Sequence, residues 1–574
     1  MRAKIFILTI ICAIALCDRS VCGQESARAA PHQCLGEGRE GLVVGLSGKQ
    51  SVHAGAEILK EGGSAADAAM ATAMSQIVEA AGSYISFAGI LSMVYYDASV
   101  HQYHYLNAAY NTPIDETDPL SIPKADLTAG TGAPSGRTAL VPGFMAGVQA
   151  AHDRFGKLPM ARIVAPAIAL AEEGIDIDSV LAGFIQYRRD VLGRLPETRR
   201  VFTRPDGAFY RDGDRFRQKE LAATLRRVAE QGAAVMYNGE WAHHFVDAVR
   251  REGGKITLGD LKAYRATWEA PTEANFLGAR VVAPGLSSRG GVDLVEALQV
   301  ADLAGLEQLG PPARTPESLF RLMQITKNQL VFEGPEPMAS RYPGRDFSPR
   351  ARLTRAHAQW FWDRMQSGEL PFVTKLVAGR GANDRPRHSS GVVAVDRWGN
   401  VAAVTHSINA VLWGTTGIFV DGVSIPDSAS FQQDKIQQAG PGHRLPEEMN
   451  PLIVARDGRP ILASTAIGGG LHQRTVQVVA NIVAFGLDAQ AAAAAPAFLS
   501  PDWMGSKSVA QVAAGAFDAK VLAGVRALGQ EIRELDPAQR AMFVGYWAGI
   551  AIDRQNGRLC GAGGTETQSF AEGY

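Results

Sequence analysis

The stretch His388-Ser-Ser-Gly-Val-Val-Ala-Val-Asp-Arg-Trp-Gly-Asn400, continued by Val404-Thr-His-Ser-Ile-Asn409, sets hydroxyls and an amide on the two sides of a tight turn. A Gly468-Gly469-Gly470 run follows it. A serine freed as a new chain terminus carries its own base, because an α-amine with a pKa of about 8 is partly neutral at working pH. The first hydroxyls of the series, Ser389 and its rival Ser390 at a one-residue slip, could supply such a terminus just after His388. Ser407 and Asn409 form the second hydroxyl and amide, and the backbone N–H groups of Gly468 and Gly469 suit a developing oxyanion. A Ser-Ser pair in a strand is ordinarily structural; its place in this ordered series is what distinguishes Ser389. The chemistry implied is cleavage of an amide through an acyl-enzyme, and it requires no histidine, metal or cofactor.

Positioning these groups takes a sheet. Strands are expected over 392–395 and 401–405 around the turn 396–400, and over 452–454 and 461–463 around Arg456-Asp-Gly458, since apolar runs separated by glycine turns mark antiparallel pairing. A helix over 473–485 should pack on them. In the first half, 41–46 reads as a buried strand, 52–60 as a helix stopped by Gly62-Gly63, and 65–80 as an Ala-rich helix with Ser64 as N-cap. The run 90–96 is rich in β-branched and aromatic residues and should pair with 101–106. Helical spacing recurs over 143–154 and 161–173, while 188–280 reads as mostly helical. The span 335–387, rich in Pro, Arg and Gly, reads as a long exposed connection. Sheets from both halves with helices outside them predict a four-layer α/β/β/α body.

With 46% hydrophobic and 20% charged residues, the 574-residue chain is long enough for substantial cores. Lys plus Arg number 57 against 58 acidic residues, so neither nucleic acid nor an anionic surface is favoured as a partner. Residues 1–23 read as an export signal, with Arg2 and Lys4 ahead of an apolar run and small residues before a cut near Gln24. A lipid anchor on Cys17 or Cys22 competes with that reading. No later segment offers the roughly 20 apolar residues of a membrane span, so a periplasmic or secreted protein is expected. Cys34 and Cys560 remain after signal removal; export permits a bridge, but two cysteines fix nothing about geometry. His101, His104, His243 and His244 lack partners at zinc spacing.

Several segments resemble the gamma-glutamyltransferase family of N-terminal-nucleophile hydrolases. They are Ala56-Glu-Ile-Leu-Lys-Glu-Gly-Gly-Ser-Ala-Ala-Asp-Ala-Ala69, Val141-Pro-Gly-Phe-Met-Ala-Gly147, Phe155-Gly-Lys-Leu-Pro159, Asp260-Leu-Lys-Ala-Tyr264, Ser287-Ser-Arg-Gly-Gly291 and the closing Ala571-Glu-Gly-Tyr574. The resemblance implies self-cleavage into a large fragment, 24–388, and a small fragment, 389–574, which stay together as a heterodimer. It also implies Ser389 as nucleophile where the family has threonine, with Ser407 and Asn409 orienting it and Gly468 and Gly469 as the anion hole. The departures fall in the glutamyl pocket. Ala109 stands where the family's carboxylate-gripping arginine would be, Ser430 where its amine-gripping acid would be, and Glu447 and Glu448 where it has two serines. A free carboxylate fits such a pocket badly, so a small-molecule amide or peptide with a different acyl group is expected. Two other readings are an orthodox gamma-glutamyl hydrolase or transferase acting on glutathione-like substrates, and an inactive descendant that binds or scaffolds.

Overall fold

Val392, Val393, Ala394 and Val395 are all buried, because their strand has a different core on each face. The computed structural model describes residues 33–126, 131–327, 334–370, 389–500, 509–536, 545–564 and 569–574. The strands that build its two main sheets are, in chain order, β1 Gly36–Gly38, β2 Leu42–Gly45, β3 Ile90–Asp97, β4 Gln102–Ala108, β5 Thr267–Glu269, β6 Thr272–Phe276 and β7 Ala279–Ala283. They continue as β8 Ser389–Val395, β9 Val401–Ser407, β10 Leu452–Arg456, β11 Arg459–Ile467, β12 Tyr546–Ile552, β13 Leu559–Gly563 and β14 Phe570–Gly573. One sheet runs β14-β2-β8-β9-β3-β4-β5 and the other β1-β13-β12-β11-β10-β7-β6.

Three cores separate four layers. On the outer face of the first sheet, Val392, Ala394, Ala402 and Val404 pack with helices α1 Lys49–Lys60, α2 Ala65–Glu79, α3 Phe144–Phe155 and α4 Met160–Glu173. Between the sheets, Val393, Val395, Val401 and Ala403 meet Ile453, Ala463 and Ile550. Beyond the second sheet, Val454, Leu462 and Trp547 pack with α5 Arg289–Leu303 and α8 Leu471–Val483. The expected α/β/β/α stack is the one observed.

Helix α2 lies directly behind β8, and its start is built by the residues the sequence singles out. Ser64 Oγ accepts the Asp67 N–H at 3.1 Å while Asp67 Oδ2 accepts the Ser64 N–H at 3.0 Å, a reciprocal capping box. The same Asp67 oxygen accepts the N–H groups of Lys157 and Leu158 at 2.7 and 3.2 Å, which ties the α3–α4 connection to the cap.

Two sequence expectations are corrected. The end of the span read as helical forms β5, β6 and β7: Thr272–Phe276 alternates buried and exposed residues, and the hairpin turns at Leu277 and Gly278, both at positive φ. The span read as a long connection carries helices, Glu336–Arg341, α6 Pro349–Arg352 and α7 Arg355–Gln366. Charge misleads there because it is buried and paired. Arg352 donates at 2.9 Å to both Asp293 and Glu296 of α5, and His357 Nε2 lies 2.9 Å from Glu296. Burial raises the Glu296 carboxyl, but the Arg352 guanidinium outweighs it and holds the group at about 2. Trp360 is flanked by the guanidinium groups of Arg345 and Arg364, 4.3 and 4.6 Å from its ring.

Replacing Asp67 by alanine strands three backbone donors, and each buried unsatisfied donor costs about 1–3 kcal/mol. Asp67→Ala should therefore lower stability to urea by several kcal/mol, whereas a change within experimental error would show that the cap does not hold α2.

Candidate active site

Ser389 opens β8 and pairs across the ladder with Ser407, the last residue of β9. Its Oγ donates to Ser407 Oγ at 2.9 Å, and Ser407 Oγ also accepts the Asn409 N–H at 2.9 Å. Asn409 sits at φ 46°, a left-handed conformation that asparagine tolerates better than most residues. The turn is pinned from behind, because the Ile408 carbonyl accepts from Tyr110 Oη at 3.1 Å and from Ser428 Oγ at 2.6 Å. Tyr110 and Ser428 are supporting residues that the motif order did not reveal. The only hint in sequence is that each neighbours a departure from the family pattern, Tyr110 next to Ala109 and Ser428 close to Ser430. His388 lies outside the described residues.

Side chains alternate along a strand, and the alternation separates Ser389 from its rival. Ser390 is fully buried on the helical side, where its Oγ lies 2.9 Å from Ser47 Oγ. Its cross-strand partner His406 shares that side, with Nε2 2.8 Å from Gln76 Oε1. Gln76 Nε2 in turn donates to the Ser47 and Gly391 carbonyls at 2.9 and 3.3 Å. Burial pushes His406 down to about 3, so it is neutral at working pH. On the opposite face, Thr405 Oγ1 meets Thr465 Oγ1 of β11 at 2.7 Å, and a side chain at Gly391 would collide with that threonine. The two sheets thus touch two residues from Ser389 and three residues from Gly468.

Gly468 ends β11 at φ 84°, and Gly470 is the N-cap of α8. Glycine is favoured at 468 because the chain turns from strand to helix through a left-handed residue there. The result is a helix N-terminus, where backbone N–H groups lack intrahelical partners.

The positions aligned with the glutamyl pocket are closed. Ala109 is 1% exposed, and its carbonyl accepts from Tyr264 Oη at 2.5 Å. The nearby Arg444 guanidinium lies under this segment, donating to Asn111 Oδ1 at 2.6 Å and the Asn107 carbonyl at 2.8 Å, with further bonds to Asn107 Oδ1 and the Arg265 carbonyl. Ser430 Oγ donates to the Asp427 carbonyl at 2.6 Å. Glu448 is ion-paired with Lys435. Glu447 is buried and accepts from Tyr105 Oη at 3.0 Å, from Ser92 Oγ at 3.5 Å and from the Met449 N–H. Glu447 is thus out of solvent, and Glu448, partly exposed, is held by its ion pair. Their neighbours Tyr110, Ala429, Leu445 and Met449 form a small apolar cluster with Ile90, Ile122, Leu140 and Ile436.

A cavity of about 290 Å³ opens on the helical side, lined by Ser47, Gln76, Glu79, Tyr84, Asp178 and Phe184 among others. Its carboxylates are already engaged: Glu79 accepts the Ser51 N–H at 2.9 Å and Asp178 the Leu181 N–H at 2.8 Å. Among the described residues, the histidine and carboxylates close enough to share an ion are His53, Glu57 and Glu572, which are solvent-accessible and already joined by Lys60 at 2.7 and 3.3 Å from the two glutamates.

A two-sheet sandwich covered by helices, with a hydroxyl at the start of a central strand, is the architecture of N-terminal-nucleophile hydrolases, and solved structures share it. The Bacillus halodurans cephalosporin acylase superposes with a TM-score of 0.77 at 22% identity, covering 97% of this chain and 99% of that one. Residues 51–574 match the Gamma-glutamyltranspeptidase family model, and the chain belongs to that family. It is 25% identical over 486 residues to the glutathione hydrolase proenzyme of Escherichia coli, covering 80% of this chain and 81% of the relative. It is 26% identical over 489 residues to the acylase ACY 1 proenzyme of a Pseudomonas species, covering 80% and 82%. The protein is an enzyme of the amidohydrolase and acyltransferase class.

Burial pushes the Glu447 carboxyl up to about 7, against the donors that favour its charged form. A carboxyl raised above its unfolded value contributes fully at low pH, and its contribution is lost as pH rises from the unfolded value near 4.5 through 7. Glu447→Gln should therefore melt progressively higher than the parent as pH goes from 5 to 8. A melting-temperature difference that stays flat across that range would contradict a buried, titrating carboxyl.

Proposed function

We propose that this chain is an exported, self-processing amidase that cuts its own 388–389 peptide bond and then uses Ser389 to cleave an amide whose acyl group lacks the glutamyl headgroup. The Ser389–Ser407–Asn409 hydrogen-bond chain at the mouth of the inter-sheet face carries the reading. In the cleaved form the Ser389 α-amine takes the Oγ proton as Oγ attacks the substrate carbonyl. The oxyanion is held by the N–H groups of Gly468 and Gly469, where one donor is worth on the order of 100-fold or more in rate. The C–N bond then breaks, the α-ammonium returns its proton to the leaving amine, and water or a second amine releases the acyl group by the same steps. Ser390 is poorly placed for this role, being locked against Ser47 behind the sheet.

Three observations support an altered acyl group: the absence of an arginine at Ala109, the engagement of Arg444 with the loop's own oxygens, and the engagement of Ser430, Glu447 and Glu448 by partners within the protein. The Pseudomonas relative named as an acylase is in keeping with that reading. Export is supported by the leader-like residues 1–23 and by a Cys34–Cys560 disulfide, a bond that persists in oxidising compartments. Among the described residues, no helix is long and apolar enough to cross a membrane.

Amino-terminal sequencing of the purified protein should return two sequences, one beginning near residue 24 and one at Ser389, and Ser389→Ala should stay whole. A cut protein that releases amine from a gamma-glutamyl anilide would restore the orthodox specificity. A single uncut chain that a sulfonyl fluoride does not label at Ser389 would overturn both the self-cleavage and the assignment of the nucleophile.

A further inference from the structure

Cys34 and Cys560 are joined by a disulfide, with Cα atoms 5.5 Å apart across a sequence separation of 526. The bond lies where the first described residues are woven between the last strands. Strand β1 pairs antiparallel with β13, with Gly36 opposite Gly561 and Glu37 opposite Cys560, and the Leu35 N–H adds a bond to the Gly561 carbonyl at 2.9 Å. After the turn at residues 39–41, β2 pairs with β14 in the other sheet, and the Arg39 and Glu40 N–H groups both reach the Tyr574 carbonyl, at 2.8 and 3.0 Å. Glu37 also holds Arg558 at 3.0 Å. Residues 34–45 are therefore gripped on both sheets by segments that lie beyond position 389.

We infer that this disulfide is an inter-fragment tether, so that self-cleavage yields two polypeptides that remain covalently joined. The inference rests on the proposed cut at 388–389, since it is the cut that turns an intrachain bond into an interchain one. Strand β1 is only three residues long and lies at a sheet edge, where pairing is weakest. Its ladder is the shortest part of the grip on the start of the large fragment, and the disulfide reinforces it covalently at Cys560. The bond forms by two thiol–disulfide exchanges with an external disulfide: its S–S bond breaks as the Cys34–Cys560 bond forms, and it takes two electrons and the two thiol protons and leaves as two thiols. Once formed, it makes reassociation of the fragments intramolecular, at an effective concentration set by the protein and not by dilution.

The test uses the purified full-length protein with free thiols alkylated. Peptide mapping without reductant should recover the Cys34 peptide linked to the Cys560 peptide. A denaturing gel should show one species without reductant and two with it, and Cys560→Ser should show two in both lanes. After denaturation and refolding, the parent should recover sulfonyl-fluoride labelling of Ser389 equally at two concentrations tenfold apart, while Cys560→Ser should recover less at the lower one. Alkylated Cys34 and Cys560, or two species from the parent without reductant, would overturn the tether while leaving the cut intact. One species in both lanes would overturn the cut, and the inter-fragment role with it, even where the linked peptides are found.

Discussion

The two-residue period of β8 is the constraint on which the site depends. Val392 and Ala394 belong to the helical core and Val393 and Val395 to the inter-sheet core, so the register is locked from both sides. A slip by one residue would exchange both sets at once. Ser389 consequently lies on the face shared by Gly391, Thr405 and Ser407, and Ser390 on the face of His406 and Gln76. Along the inter-sheet layer the character changes from aliphatic at Val393 and Val395 to hydroxyl-rich at Thr405, Thr465, Ser407 and Ser389. The candidate chemistry occupies the polar end of a layer that is otherwise dry.

Support for that end comes from distant parts of the chain. Gln76 on α2 bonds to carbonyls at Ser47 and Gly391, and Tyr110 and Ser428 converge on Ile408. Glu447 is fastened to β3 and β4 through Ser92 and Tyr105, while its carbonyl receives the Arg289 N–H at the start of α5 at 2.9 Å. Through α5 the site loop is linked to the buried Arg352–Glu296 pair and so to α6 and α7. A group of hydroxyls and backbone atoms too weakly polar to organise itself is held by a scaffold drawn from both halves of the sequence.

Much of this was legible in the residues. The Ser64 cap, the β8–β9 turn and Gly468 before α8 are local signals, set by capping, turn chemistry and the need for positive φ, and the layer order followed from sheets in both halves with helices outside them. The hairpin of β6 and β7 was missed because a charged flank masks the alternation in Thr272–Phe276. The helices of 336–366 were missed because arginine reads as solvent-facing, whereas Arg352 is buried between two carboxylates and Arg345 and Arg364 sandwich Trp360. The surroundings of Glu447 and Glu448 were illegible in principle. Their partners Tyr105, Ser92 and Lys435 are brought to them only by the fold, and the Cys34–Cys560 contact depends likewise on the pairing of the first strand with β13.

The apolar cluster of Ile90, Tyr110, Ile122, Leu140, Ala429, Ile436, Leu445 and Met449 couples core packing to the turn at Ile408 and Asn409. Here the Tyr110 ring that helps fill the packed cluster also steadies the turn leading to Asn409 through its hydroxyl. A substitution that opened the cluster around Tyr110 would therefore loosen the turn that carries Asn409 as well, so the packing and the turn cannot change independently.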